Sequence, residues 1–323
     1  MPKVCFEIDS VPAVNRTINT FKKLRFEKFV IVVGSLASKV METVVPAEPH
    51  ALFVMQMPQL GTGDAAKKAA AALENIGHTG PVLVTLGDKF LEPAAIEALV
   101  EGFVKSSADL ALAAIPKNSV TEGSGGRIFL DSNSQVREII EKPDIDRGLA
   151  VDDMRKFIAR RKTVTADEII SLVAPRFSSG KKMTLALGDI LDTFPGDKPI
   201  KTEQFQQFLT GTKNDFVIDG VSYTAAQIEK KCKGVNPSLY LFSARAFYQG
   251  VAMLDNNNAQ KEFYLTDVVR HLNTVPDYRI RAVHLNNPDL IQGFNSPGEL
   301  LLIKVYIRRI KQDPPAAPVH ARP

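Results

Sequence analysis

Asp88 follows a glycine at the end of the apolar run 82–86. A carboxylate at the carboxyl edge of a buried strand sits where open α/β sheets bind ligands. It can hold Mg²⁺ against phosphate oxygens, because Mg²⁺ takes one or two protein oxygens and leaves the rest to substrate and water. The same aspartate would equally serve to cap a helix beginning near Glu92. A second cluster, Gln56-Met-Pro-Gln-Leu-Gly-Thr-Gly63, lies between a strand-like run and an alanine-rich helical segment. Its glycines let backbone N–H groups come close to a ligand, and a helix N-terminus favours negative charge, which suits a nucleotide. Glycines at such a joint also serve as ordinary turn residues. Three further residues are individually unremarkable. Glu141 follows Ile139-Ile140 and reads as a strand-end charge, Asn236 reads as a turn residue, and Asn295 reads as a cap for a last helix together with Ser296 and Pro297.

The elements that must position these residues alternate. Short β-rich apolar runs at 29–34, 51–57, 81–87 and 108–115 read as buried parallel strands. Helical segments at 35–45, 64–76 and 93–105 separate them, which is the pattern of a doubly wound α/β sheet. A hairpin is expected at 127–130 and 136–140, with its turn at Asp131-Ser132-Asn133-Ser134. From 145 to 233 the chain turns lysine- and threonine-rich and helical, broken at 194–197 and at Gly211. The α/β pattern then resumes with a strand at 238–242, helices at 244–254 and 266–272, a strand at 278–285 and a helix at 297–310. The expected organisation is one α/β domain made of 1–144 and 234–312, a mostly helical insertion at 145–233, and a proline-rich disordered tail at 313–323.

Composition narrows the class. The 323 residues are 45% hydrophobic and 24% charged, as in a folded globular protein. Forty basic and 36 acidic residues leave a formal +4 that is spread along the chain, so no nucleic-acid partner is expected while small anionic substrates remain compatible. Cys5 and Cys232 lie far apart without CxxC or Cys/His spacing, which argues against a disulfide framework or zinc site and suggests the cytoplasm. No apolar run approaches the roughly 20 residues that span a bilayer, so no membrane segment is expected. No GxGxxG followed by an acidic residue marks a nicotinamide-binding fold.

Order and spacing join the scattered residues. Lys3, the QxxQLGTG run at 56–63, Gly87-Asp88, Gly126-Arg-Ile128, Ile140-Glu141-Lys142, Val235-Asn236-Pro237, the run from Asn257 through Glu262-Phe-Tyr-Leu-Thr-Asp267, and Gly293-Phe-Asn295 occur in that sequence. Together they resemble the uridylyltransferase domain of the bifunctional N-acetylglucosamine-1-phosphate uridyltransferase/glucosamine-1-phosphate acetyltransferases. The resemblance implies a Rossmann-like α/β nucleotidyltransferase fold with a mixed, mostly parallel sheet. It implies a reaction in which UTP and N-acetylglucosamine 1-phosphate give UDP-N-acetylglucosamine and pyrophosphate with Mg²⁺. Gln56, Gly61 and Thr62 would then face uracil and ribose, and Asp88 with Asn295 would hold the metal. Gly126, Glu141 and Asn236 would face the amino sugar, and Lys3 would aim a cation at the phosphates.

Three departures from that family stand out. The family opens with a strand and a glycine-rich loop that ends in arginine, whereas this sequence begins at Met1-Pro2-Lys3, just past the loop. Weak nucleotide binding by the chain as given is therefore expected, with a start set too late as the first explanation. Leu86 stands where tyrosine is common before Gly-Asp, and Lys89-Phe90 replace a small residue and proline, so sugar or base preference is open to a shift. The 145–233 insertion replaces a short connection, leaving a cover over the sugar pocket or a homo-oligomer contact as its open roles. The acetyltransferase half has no counterpart, so no acetyl transfer is expected. Another sugar-1-phosphate nucleotidyltransferase, or a non-catalytic sugar-nucleotide-binding relative, stand as alternative readings.

Overall fold

The computed structural model describes residues 1–117, 125–194, 198–211, 215–258 and 261–312. The expected tail at 313–323 and residues 195–197 of the expected break at 194–197 lie outside them.

The core is a seven-stranded sheet centred on the strand Leu110–Pro116. Six consecutive residues of that strand, Leu110 to Ile115, are buried, as expected for a strand covered on both faces. Its side chains alternate between two cores. Leu110, Leu112 and Ala114 pack with Ala66, Ala70 and Leu73 of the helix Thr62–Asn75 on one face. Ala111, Ala113 and Ile115 pack with Ala95, Ile96 and Leu99 of the helix Pro93–Lys105 on the other. The strand Leu239–Phe242 divides in the same way, sending Tyr240 and Phe242 to the first core and Leu239 and Leu241 to the second.

The sheet is mixed, and more of its pairing is antiparallel than the strand–helix alternation suggests. Val82–Thr85 and Leu110–Pro116 run in the same direction, but Leu239–Phe242 lies between them and runs against both. Gly234–Val235 likewise runs against Leu110–Pro116 and Arg127–Leu130, and Ile280–His284 is the parallel partner of Leu110–Pro116. These strands come from the far end of the chain, so their direction is not dictated by the local β–α–β rhythm. Val30–Val33 and Leu52–Met55 form a parallel pair that, among the described residues, bonds to no other strand. Val30 nevertheless packs on the same core as Val82 and Val84, and Phe29 on the same core as Leu83. The pair and the main sheet thus lie in one layer, with helices common to both. Val30, Ile31, Val32, Leu83, Val84 and Thr85 stay partly exposed, unlike the central strand, because no described strand lies against their facing edges.

Residues from Lys142 to Lys231 are mainly helical, with the first helix, Lys142–Ile158, starting directly after Glu141. Helices Ala166–Val173, Gly180–Leu191 and Thr202–Gly211 follow, and the two-residue strands Thr163–Val164 and Ile200–Lys201 tie their loops together. Met154, Val173, Leu187 and Phe205 centre a core formed entirely within this stretch. A second cluster joins the stretch to the sheet: Ile145, Ile218, Ala225, Ile228 and Cys232 pack on Phe129 and Ile140. Cys5 and Cys232 are free and buried. Among the described residues no helix is long and apolar enough to cross a membrane.

Candidate active site

A cavity of about 380 Å³ opens at the carboxyl end of Val82–Thr85. It gathers Lys3, Thr62, Asp88, Gly126, Glu141, Asn236 and Asn295 on its walls. Gln56 and Gly61 stand one layer behind the wall rather than on it.

At one end a cation and a carboxylate meet. Lys3 Nζ pairs with the Asp88 carboxylate and donates to Asn295 Oδ1 at 2.7 Å. Asp88 does not cap the following helix, whose cap position is Glu92. Its Oδ1 is buried without a partner. Asn295 is likewise released from capping the last helix, because Glu299 Oε2 accepts from Ser296 N at 3.0 Å and Ser296 Oγ accepts from Glu299 N at 3.2 Å. That exchange leaves the Asn295 side chain to turn toward Lys3.

Behind this end, two sequence runs are stitched together. Phe263 N donates to Leu60 O at 2.8 Å and Gly63 N to Phe263 O at 2.7 Å. Leu265 N donates to Thr62 Oγ1 at 3.2 Å. Gly61 has φ +103°, and a Cβ there would meet Phe263 O at 2.6 Å, so the turn requires glycine on two counts. Gln56 is buried, donating from Nε2 to Gly61 O and to Asp64 Oδ2, each at 2.9 Å. The glycine turn is therefore held by protein contacts, and its Gly63 N–H is already engaged.

The other end is rich in hydrogen-bonding groups. Glu141 closes the strand Val136–Ile140, and its Oε1 accepts from Thr266 Oγ1 at 2.8 Å. Burial pushes its carboxyl up to about 7, while the Thr266 hydrogen bond pulls the other way. Asn236 N donates to Gly126 O at 2.9 Å. The Asn236 side chain donates to Tyr240 Oη at 2.5 Å and accepts from Ser238 N at 3.0 Å, so it is a turn residue and a wall residue at once. Burial also raises the Tyr240 and Tyr264 hydroxyls above the ordinary tyrosine value.

Thr85, Tyr240, Tyr264 and Thr266 also line the cavity, and none was singled out from sequence. Thr85 Oγ1 and Tyr264 Oη are buried without partners, as is Asp88 Oδ1, so three orphaned polar atoms belong to residues lining one cavity. Tyr264 and Thr266 fall inside the Glu262-to-Asp267 run, whose order was the available signal. Thr85 had none beyond its place at a strand end.

The family model described as nucleotidyl transferase matches residues 2–171. The bifunctional protein GlmU of Synechococcus sp. (strain CC9902) is 35% identical over 145 residues, covering 45% of this chain and 31% of that protein. GlmU of Clostridium novyi (strain NT) is 24% identical over 313 residues, covering 95% of this chain and 48% of that protein. The chain thus spans less than half the length of these curated relatives. Among solved structures, the inositol-1-phosphate CTP transferase from T. maritima superposes with a TM-score of 0.55 at 11% identity, covering 97% of this chain and 89% of that one. UDP-glucose pyrophosphorylase in complex with UDP-glucose gives 0.53 at 11%, covering 96% and 91%. The two superpositions establish a shared nucleotidyltransferase fold.

Proposed function

The chain belongs to the nucleotidyl transferase family, and on that premise we propose that it forms UDP-N-acetylglucosamine from UTP and N-acetylglucosamine 1-phosphate. A phosphate oxygen of the sugar phosphate attacks the α-phosphorus of UTP, the α–β anhydride bond breaks, and pyrophosphate leaves with the bonding pair. Such a transfer needs placement and charge neutralisation more than covalent help. The observation that carries the reading is the polarity of a single cavity: Lys3, Asp88 and Asn295 at one end, Glu141, Thr266 and Asn236 at the other.

Asp88 and Asn295 suit a hard divalent cation, since both offer oxygen and Asp88 keeps one buried oxygen unpartnered. Mg²⁺ held there would neutralise phosphate charge and orient phosphate oxygens. Lys3, freed from these two oxygens, would turn its ammonium to the phosphates. The turn from Gln56 through Thr62 would flank the base and ribose. Glu141, Gly126 and Asn236 would hold the hydroxyl and amide groups of the sugar. The resemblance carried by the sequence motifs and the acceptor Glu141 favour an amino sugar over glucose.

The test is pyrophosphate release with a panel of nucleoside triphosphates and sugar 1-phosphates. The protein is assayed as it stands and with any in-frame residues encoded ahead of Met1. Preference for UTP with N-acetylglucosamine 1-phosphate is expected. A different preferred pair would keep the reaction class and reject the substrate, whereas no release and no nucleotide-sugar binding in either form would reject the reading.

A further inference from the structure

The helical stretch from Lys142 to Lys231 plays no part in the chemistry above, yet both its ends run into the sugar end of the cavity. At the first end, Glu141 is the cap residue of the helix Lys142–Ile158, its carbonyl accepting from Asp144 N at 3.1 Å and Ile145 N at 3.2 Å. At the other, Asn236 follows the helix Ala225–Lys231 by five residues, and Ile228 of that helix packs in one cluster with Ile145.

A chain of polar contacts runs from the second of these ends to the cavity wall. Glu229, on the Ala225–Lys231 helix, accepts on one oxygen, Oε1, from both Arg127 Nε at 3.0 Å and Nη2 at 2.9 Å. The Arg127 side chain is only 5% exposed. Its Nη1 donates to the carbonyl of Gly125, which with Gly126 lines the cavity. The Gly126 carbonyl accepts from Asn236 N, as above. Glu229 also accepts from Lys117 Nζ at 3.0 Å, at the end of the central strand. Burial opposes its ionisation, but the hydrogen bonds from Lys117 and Arg127 hold its carboxyl below the ordinary glutamate value. The phosphate end is braced differently: Lys3 by Asp88 and Asn295, Gln56 by Asp64, and Thr62 by Leu265.

We propose that Glu229 is a positioning residue for the sugar-phosphate acceptor, acting through Arg127 on the Gly125-Gly126 backbone and Asn236, so that the helical stretch forms the outer brace of the acceptor half of the site. Arg127 is always charged, and Glu229 is the carboxylate that its Nε and Nη2 meet. Loosening the fork frees the glycine pair, which has no side chains of its own to fix it. The inference rests on the assignment of the Glu141 end to sugar.

The experiment compares Glu229→Gln and Glu229→Asp with the wild type. Glu229→Gln should raise KM for N-acetylglucosamine 1-phosphate by about tenfold or more, leave KM for UTP and kcat within about twofold, and be partly rescued by Glu229→Asp. In the protein without ligand, the Asn236 amide should exchange with deuterium faster in Glu229→Gln than in the wild type. That readout needs no substrate. Equal rises in both KM values, or an unchanged sugar KM, would overturn the proposal, as would unchanged Asn236 exchange. Failure of the wild type to bind any sugar nucleotide would instead count against the functional reading, with the exchange comparison still deciding whether Glu229 positions this wall.

Discussion

Glu141 is half-buried in the cavity wall, with a carboxyl pushed up to about 7 by desolvation, against an ordinary value of 4.5. The folded chain then holds a proton that the unfolded chain releases, so the stability linked to this group is fully present below 4.5 and is lost as pH rises through about 7. Ligand binding should show the opposite trend, because the ionised carboxylate is the better acceptor for sugar hydroxyl and amide groups. Affinity for UDP-N-acetylglucosamine, whose diphosphate does not titrate near neutrality, should rise between about pH 6 and about pH 8. Glu141→Gln should flatten that rise in isothermal titration, and a wild-type profile as flat as the variant's would remove Glu141 from sugar contact. Lys3 supports a second prediction. Its ammonium rests on the Asp88 carboxylate and Asn295 Oδ1, the seat proposed for a divalent cation. Lys3→Met should tighten Mn²⁺ binding by the ligand-free protein severalfold, read by electron paramagnetic resonance, while turnover falls. Unchanged Mn²⁺ affinity would mean that these oxygens are not the metal's seat.

At the scale of elements, the cavity depends on two runs that sequence order pairs but cannot place in contact. The Gln56–Gly63 turn and the Glu262–Asp267 run are stitched through Leu60, Gly63 and Phe263, with Gly61 where backbone strain and the Phe263 carbonyl both exclude a Cβ. Gly61→Ala should destabilise the fold by about 1–3 kcal/mol in chemical denaturation and weaken nucleotide binding; loss of stability without loss of binding would make the turn a scaffold only. The longer elements are legible from hydrophobic period together with end signals, as in Pro93–Lys105 with its proline start, Thr62–Asn75 with Gly77 just past its end, and the hairpin Arg127–Leu130 with Val136–Ile140. Shorter pieces escaped. Lys89–Leu91 pairs with Ile291–Gly293, and Gly234–Val235 wedges between two long strands, but two or three residues carry no period to read. The helix Ala13–Lys23 is obscured likewise, because its buried Val14, Ile18 and Phe21 are interleaved with Asn15 and Thr17, which are themselves buried. Asp88 and Glu141 could be named from order, but the contact of Lys3 with Asn295, 292 positions away, follows only from the fold.

At the scale of the molecule, the helical stretch has two cores with different consequences. Phe205 is fully buried in a cluster whose members all lie within the stretch, whereas Ile145 belongs to the cluster shared with Phe129 and Ile140 beneath the Glu141 strand. Emptying either site should cost stability: about 3–5 kcal/mol for Phe205→Ala and about 2–5 kcal/mol for Ile145→Ala. The places where the loss appears should differ. Phe205→Ala should reduce deuterium-exchange protection in Ala166–Val173 and Gly180–Leu191 while Leu110–Pro116 stays protected and UDP-N-acetylglucosamine still binds. Ile145→Ala should loosen the helix that starts at Glu141, and with it the sugar end of the cavity, so sugar-nucleotide affinity should fall as well. If both variants lose protection evenly through sheet and helices, the stretch and the sheet unfold as one unit. The shared cluster would then be part of a single core, and the bracing of the acceptor end would extend from Glu229 to every buried residue of the stretch.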